Sequence, residues 1–351
     1  MILHLKAALF CAIIFPRNEK GDITSMKKRL IALFLVIICI LTSCHKEDKI
    51  PEGEELDYDY YAINMKSKFE INDTLESVEK NPAKVIILIG QSNATGCSLT
   101  SYLREGVSEE KYSEFDSGYE NVLINFCLDN GKYTSGGAFV PVDLGCAAGE
   151  GYFGPELGMA EQLSHAFPDE NIFILKFSMS GYTLNYHWLY DYSRASIYKS
   201  FITFANTYLA YLESKGYEPS VDAICWMQGE SDTTEYKSSK YYKNTECFVS
   251  FLRADLAKYG NPGGIYFIDA GISSSPYCLP SYPKINEAKE AYSLVSELNV
   301  YFSTIDMGLT TLNEPYENPD LGHYDALSEL ELGKAFGKEI LKMYENHGKS
   351  K

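Results

Sequence analysis

Three residues of this sequence have the types and spacing that acyl transfer needs. Ser92 closes the run Lys84-Val85-Ile86-Ile87-Leu88-Ile89-Gly90-Gln91-Ser92-Asn93. A hydroxyl becomes an effective nucleophile only when a base takes its proton, and the base works best when a third group fixes its imidazole. Asp320-Leu321-Gly322-His323 offers both in one loop, just before the last helical pattern. A three-residue step lets the carboxylate accept from Nδ1 while Nε2 faces a serine. Of the six histidines, only His323 has a carboxylate three residues upstream. His4 and His45 lie near the N terminus, His347 in the C-terminal tail, His165 in an amphipathic helix pattern and His187 in an aromatic loop.

Two further segments offer donors for a developing oxyanion. The run Asn171–Lys176 leads into Phe177-Ser178-Met179-Ser180-Gly181-Tyr182-Thr183, where a glycine can bring a backbone N–H close to an anionic oxygen. The run Val221–Met227 ends in Gln228-Gly229-Glu230-Ser231-Asp232, and Gln228 carries a side-chain amide donor. Each segment alone is also ordinary turn chemistry; the reading rests on their common position after apolar strands. Glu230 is either a hydrogen-bond partner of the nucleophile loop or a solvated carboxylate. Glu230, Asp232 and Glu235 fit no metal-ligand spacing, so no metal or other cofactor is expected.

These residues need a frame that gathers strand ends at one edge. Apolar runs at 84–89, 172–177, 221–227 and 265–270, with a weaker one at 299–305, have the length and β-branched content of buried strands. Between them lie helical patterns at Gly154–Phe167, Tyr198–Lys215, Thr245–Lys258, Ile285–Leu298 and Leu327–Tyr344. Strands alternating with helices predict a parallel sheet covered on both faces, an α/β domain over residues 83–347 without an internal linker. Ligands in such sheets bind at the carboxyl ends of the strands, where Ser92, Gly181 and Gln228 all fall.

Gly90-Gln91-Ser92-Asn93, Trp226-Met227-Gln228-Gly229-Glu230-Ser231-Asp232 and Asp320-x-x-His323 resemble the SGNH hydrolase superfamily. More narrowly, they are similar to its sialate O-acetylesterase and acetylxylan esterase branch, carbohydrate esterase family 6. The similarity runs from about Lys84 to Lys342 and takes in Phe153-Gly154-Pro155-Glu156, Ser180-Gly181-Tyr182-Thr183-Leu184 and Leu252-Arg253-Ala254-Asp255-Leu256. The resemblance implies a flavodoxin-like three-layer α/β/α sandwich and O-deacetylation of carbohydrates without a metal. It assigns Ser92 as nucleophile, His323 as base and acid, and Asp320 as the orienting residue. The oxyanion hole would comprise the N–H groups of Ser92 and Gly181 and the side chain of Gln228, with Gln91, Asn93, Gly154 and Glu230 in support. The chain departs from many relatives after Gly96, where Cys97-Ser98-Leu99-Thr100 and a long polar insert suggest an altered substrate rim.

The N-terminal part reads as targeting rather than fold. Met26-Lys27-Lys28-Arg29 precedes twelve apolar residues, Leu30–Leu41, too few to span a bilayer and the right length for a signal-peptide core. Leu41-Thr42-Ser43-Cys44 resembles a bacterial lipobox, so residues 26–43 are expected to be a signal peptide and Cys44 the lipidated residue. Residues 1–25 add nothing to a complete signal and are expected to reflect an upstream start. Residues 44–82 read as a tether with an ordered edge near Tyr58–Phe69. The expected location is the cell envelope, on a membrane through the lipid.

The chain carries 31 Lys and Arg against 48 Asp and Glu, a net charge of −17. The first 43 residues hold six basic and two acidic ones, leaving 25 against 46, or −21, on the remainder. Such a surface repels nucleic acid and favours a neutral or modestly charged substrate, here an acetylated oligo- or polysaccharide. Cysteines 97, 127, 146, 225, 247 and 278 show no metal spacing; an even number in an exported chain permits disulfides. Tyr182, Tyr186, His187, Trp188, Tyr190 and Tyr192 crowd one loop, which suits either stacking on sugar rings or packing on its own domain. Two other functions fit parts of this pattern: a glycan-binding lipoprotein without catalysis, and a lipase or thioesterase. The second predicts a Leu-, Ile- and Phe-lined channel, whereas the loops here are rich in Tyr, Ser and Gly.

Overall fold

Five apolar runs become the parallel strands that carry the site. In the computed structural model, which describes residues 65–189, 196–314 and 320–349, β1 spans Asn81–Gly90, and Val85 to Ile89 are all fully buried. In chain order there follow α1 (Ser92–Thr95), β2 (Ser98–Leu99), α2 (Thr100–Gly106), α3 (Glu109–Ser117) and β3 (Tyr119–Leu128). Next come β4 (Tyr133–Thr134), β5 (Val140–Val142), β6 (Tyr152–Phe153), α4 (Pro155–Ala166) and β7 (Ile172–Ser178). The rest is α5 (Ser196–Ser214), β8 (Tyr217–Met227), α6 (Glu235–Asp255), β9 (Tyr266–Ala270), α7 (Tyr282–Ser293), β10 (Asn299–Phe302) and α8 (Ala326–Lys349).

The main sheet runs β10-β9-β8-β1-β7-β3-β4, with β5 also on β3, and its pairs from β10 to β3 are parallel. Numbering β1, β7, β8, β9 and β10 as 1 to 5 gives the order 2-1-3-4-5 of flavodoxin-like sheets, with β3 added outside β7. The chain leaves β1 first towards β7 and then crosses back to β8, so β1 is the topological switch point. Right-handed connections place α4 on one face and α5, α6 and α7 on the other. α8 returns to the first face and packs on α4. The three-layer α/β/α sandwich expected from the alternation is therefore present. Between β7, β8 and their covering helices lies an aromatic core in which Trp188 meets Trp226 edge-on at 5.3 Å and also packs on Phe177, Phe201 and Phe248.

Two expectations change. The segment after Gly96 is not only a polar insert at the rim. It contains β3, whose Val122 to Leu128 pair in register with Ile172 to Ser178 of β7 deep in the sheet. And α6 begins at Glu235, ten residues ahead of the expected Thr245, because its first half is polar and shows no apolar stripe. The ordered edge expected near Tyr58–Phe69 is anchored where it is described, from residue 65 onward: Lys66 N donates to Asn130 Oδ1 at 2.7 Å, Tyr208 OH donates to Glu70 O at 2.8 Å, and Phe69 packs edge-on against Phe204. The readings of residues 1–25, the signal 26–43, Cys44, Tyr190 and Tyr192 lie outside the described residues. Cys97, Cys127, Cys146, Cys225 and Cys278 are free thiols.

Candidate active site

The position of Ser92, the candidate nucleophile, follows from a turn only glycine can make. Gly90 ends β1 with φ +153°, and a Cβ there would lie 1.9 Å from the carbonyl oxygen of Met227 on β8. The close approach lets Gln91 N donate to that same carbonyl at 3.0 Å, and the chain then winds directly into α1. Ser92, first in that turn, is only 7% exposed and lines an open cleft of about 740 Å³. The other walls are Gln91, Ser180, Gly181, Tyr277 and the stretch Asp320 to His323.

The Asp320 loop holds the imidazole as the spacing suggests. His323 Nδ1 and Asp320 Oδ2 are 2.6 Å apart, and Gly322 N donates to Asp320 Oδ1 at 3.0 Å. Partial burial alone would raise the Asp320 carboxyl. The hydrogen bonds and charge of His323 and the backbone donors outweigh it and hold the group below its ordinary 3.8. Among the described residues no hydrogen bond joins Ser92 to His323, a looseness usual in sites without substrate.

Asn93 ties these two loops together. Its Oδ1 accepts from Tyr324 N at 3.1 Å, while its Nδ2 donates to Glu230 Oε1 at 2.5 Å and to Gly322 O at 3.4 Å. The residue after the nucleophile thus grips the backbone on both sides of His323. Glu230 is buried, not solvated, and burial pushes its carboxyl up.

On one side of β1, β7 delivers the loop Met179–Gly181. Gly181 has φ +77°, a left-handed conformation that costs other residues strain. The N–H groups of Ser92 and Gly181 have no acceptor among the described residues, so both remain available to an anionic oxygen. On the other side, β8 delivers Gln228, which is fully buried and is not a cleft wall. Its Nε2 donates to Asp232 Oδ2 at 2.6 Å, with Tyr182 O at 3.1 Å and Gln91 Oε1 at 3.3 Å also in reach. Its Oε1 accepts from Tyr241 OH at 2.9 Å. Two amide hydrogens already face three acceptors, so Gln228 reaches an oxyanion only by giving one up.

Gly154 also sits behind the cleft. It precedes α4, and its N–H donates to Glu156 Oε1 at 3.1 Å. The other oxygen of Glu156 meets Lys176 Nζ at 2.5 Å, both side chains fully buried. Lys176 also donates to Thr95 O at 2.9 Å, so this ion pair braces the far end of α1. In the aromatic loop, Tyr186 and Trp188 are buried in the core, which settles their role as packing. The exposed ring at the cleft is instead Tyr277, 59% accessible, in the loop after β9. Sequence reasoning passed over it because Ser273-Ser274-Ser275-Pro276 looks like an ordinary connection. Asp129 was missed as well: its Oδ1 accepts from Ser180 N at 2.8 Å and its Oδ2 from Ser180 Oγ at 3.2 Å.

Residues 82–342 match the family described as carbohydrate esterase, sialic acid-specific acetylesterase. Among solved structures, the chain is similar to a protein of Arabidopsis thaliana at 18% identity and a TM-score of 0.52, over 74% of this chain and 98% of that one. It is similar to NanS at 14% identity and a TM-score of 0.53, over 77% of this chain and 99% of the other. At such identities the likeness concerns the fold. No curated protein matches the sequence.

Proposed function

Since the chain belongs to the carbohydrate esterase family of sialic acid-specific acetylesterases, we propose that it removes O-acetyl groups from carbohydrates as a serine esterase, through an acetyl-enzyme. The observation that carries this reading is the His323–Asp320 pair at 2.6 Å in the same cleft as Ser92. Asn93 holds the two loops in register.

In the first step Ser92 Oγ attacks the acetyl carbonyl carbon and His323 takes its proton. The N–H groups of Ser92 and Gly181 receive the negative oxygen. The C–O bond to the sugar then breaks, and the sugar oxygen leaves with the proton from His323. In the second step water, deprotonated by the same imidazole, attacks the acetyl-enzyme, and acetate departs as Ser92 regains its proton. Asp320, kept ionised by its donors, stabilises the imidazolium formed in each half. Gln228 supports the hole from behind by fixing Gln91 and the Tyr182 carbonyl.

Substrate recognition falls to the open cleft and to Tyr277, whose ring offers an apolar face with a polar tip to a sugar. The cleft favours an acetylated sugar over a fatty acyl chain, since its described walls contain one aliphatic side chain, Leu321. A lipid on Cys44 and a place in the cell envelope remain part of this proposal, resting on the sequence of residues 26–44.

The test is acetate release from acetylated xylan, from an O-acetylated sialic acid and from p-nitrophenyl acetate, with Ser92→Ala alongside. Release by the wild type that falls by about 10⁶-fold in the variant is expected, and the better polymer identifies the substrate. Equal release by both proteins, or none from any ester, would sink the reading.

A further inference from the structure

We propose that Asp129, at the end of the added strand β3, is a positioning residue for the oxyanion loop. The inference rests on the esterase reading above. Its carboxylate takes both the N–H and the hydroxyl of Ser180, at 2.8 and 3.2 Å. Once Ser180 N–H is committed to Asp129, the next peptide is turned so that Gly181 N–H is left for the cleft.

The turn that presents Asp129 is itself unusual. Asp129 and Asn130 have φ of +47° and +59°, two consecutive non-glycine residues in the left-handed region. Asp and Asn enter this region more readily than other side chains, and their turn is fixed when the surroundings over-determine it. Here the surroundings do so: Asn130 Oδ1 accepts from Lys66 N at 2.7 Å, and Asn130 N lies 3.1 Å from Met179 Sδ.

The opposite side of the oxyanion loop is held by the nucleophile's own helix. Thr95 Oγ1 lies 2.7 Å from Ser178 Oγ and 3.4 Å from Ser180 Oγ. Met179 N donates to Gly90 O at 3.1 Å. Ser178 to Gly181 are therefore gripped between α1, which carries Ser92, and the β3 turn. The distance between the two N–H donors is set by this grip, not by the loop's own sequence. An added strand that looks like a fold extension thus reaches the reaction through one carboxylate.

The experiment compares full-length wild type, Asp129→Ala and Asp129→Asn on p-nitrophenyl acetate, reading kcat, KM and the melting temperature. Asp129→Ala is expected to lower kcat by about 10- to 100-fold with KM within about twofold, because a donor displaced by a fraction of an ångström weakens transition-state rather than ground-state binding. Asp129→Asn keeps an oxygen acceptor for Ser180 N–H and is expected to recover most of that loss. Ser180→Ala, which removes the hydroxyl half of the grip, keeps the test alive if Asp129→Ala does not fold, with a smaller fall in kcat expected. Unchanged kcat in Asp129→Ala, or in Ser180→Ala where it stands in for that variant, or a loss in Asp129→Asn as large as in Asp129→Ala, overturns the assignment. A wild type without Ser92-dependent esterase activity overturns the reading beneath it instead.

Discussion

The two flanks of β1 are built to opposite plans. The β7 flank, Ser178 to Gly181, lies partly open, is gripped by Thr95 and Asp129, and leaves one backbone N–H unpaired at Gly181. The β8 flank, Gln228 to Asp232, is largely buried and committed internally. Asp232 takes Gln228 Nε2, Leu184 N and Asn185 N, and Tyr241 donates to Gln228. Burial pushes the Asp232 carboxyl up against these donors. The lesson is that one flank leaves a donor facing the cleft while the other spends its donors on rigidity, even though both present amide donors in the sequence.

Substitutions can break that division. Gln228→Ala leaves Asp232 buried without its side-chain donor and removes the side-chain acceptor of Tyr241, whose hydroxyl keeps the backbone oxygen of residue 228, so it is expected to cost about 3 kcal/mol in urea unfolding. A variant that keeps its stability and loses only kcat would make Gln228 an oxyanion donor and erase the contrast. Asn93 joins the β8 flank to the His323 loop, and Asn93→Ala orphans Tyr324 N–H and Glu230 Oε1, with an expected loss of about 2 kcal/mol. It should also lower kcat as the His323 loop loosens. Gly181→Ala is the mirror case, costing only about 1 kcal/mol in stability through its positive φ while kcat falls by about tenfold or more. If its kcat holds, Gly181 N–H is not in the hole.

The smallest effect is a pH dependence. Asp320 has a folded pKa below its ordinary 3.8, so its stabilising contribution is fully present above that value and is lost as pH falls through the folded pKa. The melting-temperature gap between wild type and Asp320→Asn should be steady near neutrality and close below pH 3.8. A gap that stays constant into acid would mean the carboxylate is not held by His323.

The same division separates what was legible from the sequence and what was not. The partly buried β10 is the weaker run, while β1, β7, β8 and β9 announce themselves as apolar runs because both faces are buried where they cross the sheet. β3 does not, since Asn125 interrupts it and its start is polar, yet Asn125 is buried with its amide donating to Ala138 O at 2.8 Å. That Ser92, Asp320 and His323 share one cleft is readable because their placement depends on a strand end and a short spacing. Asn93 and Glu230 were readable as neighbours, but their bond spans 137 residues. Gln228 shows the limit: residue type suggests a donor, while the direction of its amide depends on Asp232, Tyr182 and Tyr241 brought in by folding. Asp129 and Tyr277 fall in loops whose composition is that of any turn.

The pairing on the outer side of β3 has a further consequence. A parallel strand ending a sheet would normally display a row of bare N–H and C=O groups, ready to template a strand from another molecule. Here β5 covers the first half of β3 and β4 its last two residues, both antiparallel. At the other end of the sheet, β10 offers only four residues. Neither border presents a long ledge on which a second copy could nucleate cross-chain sheet, so crowding many copies together should not seed fibrils through this sheet.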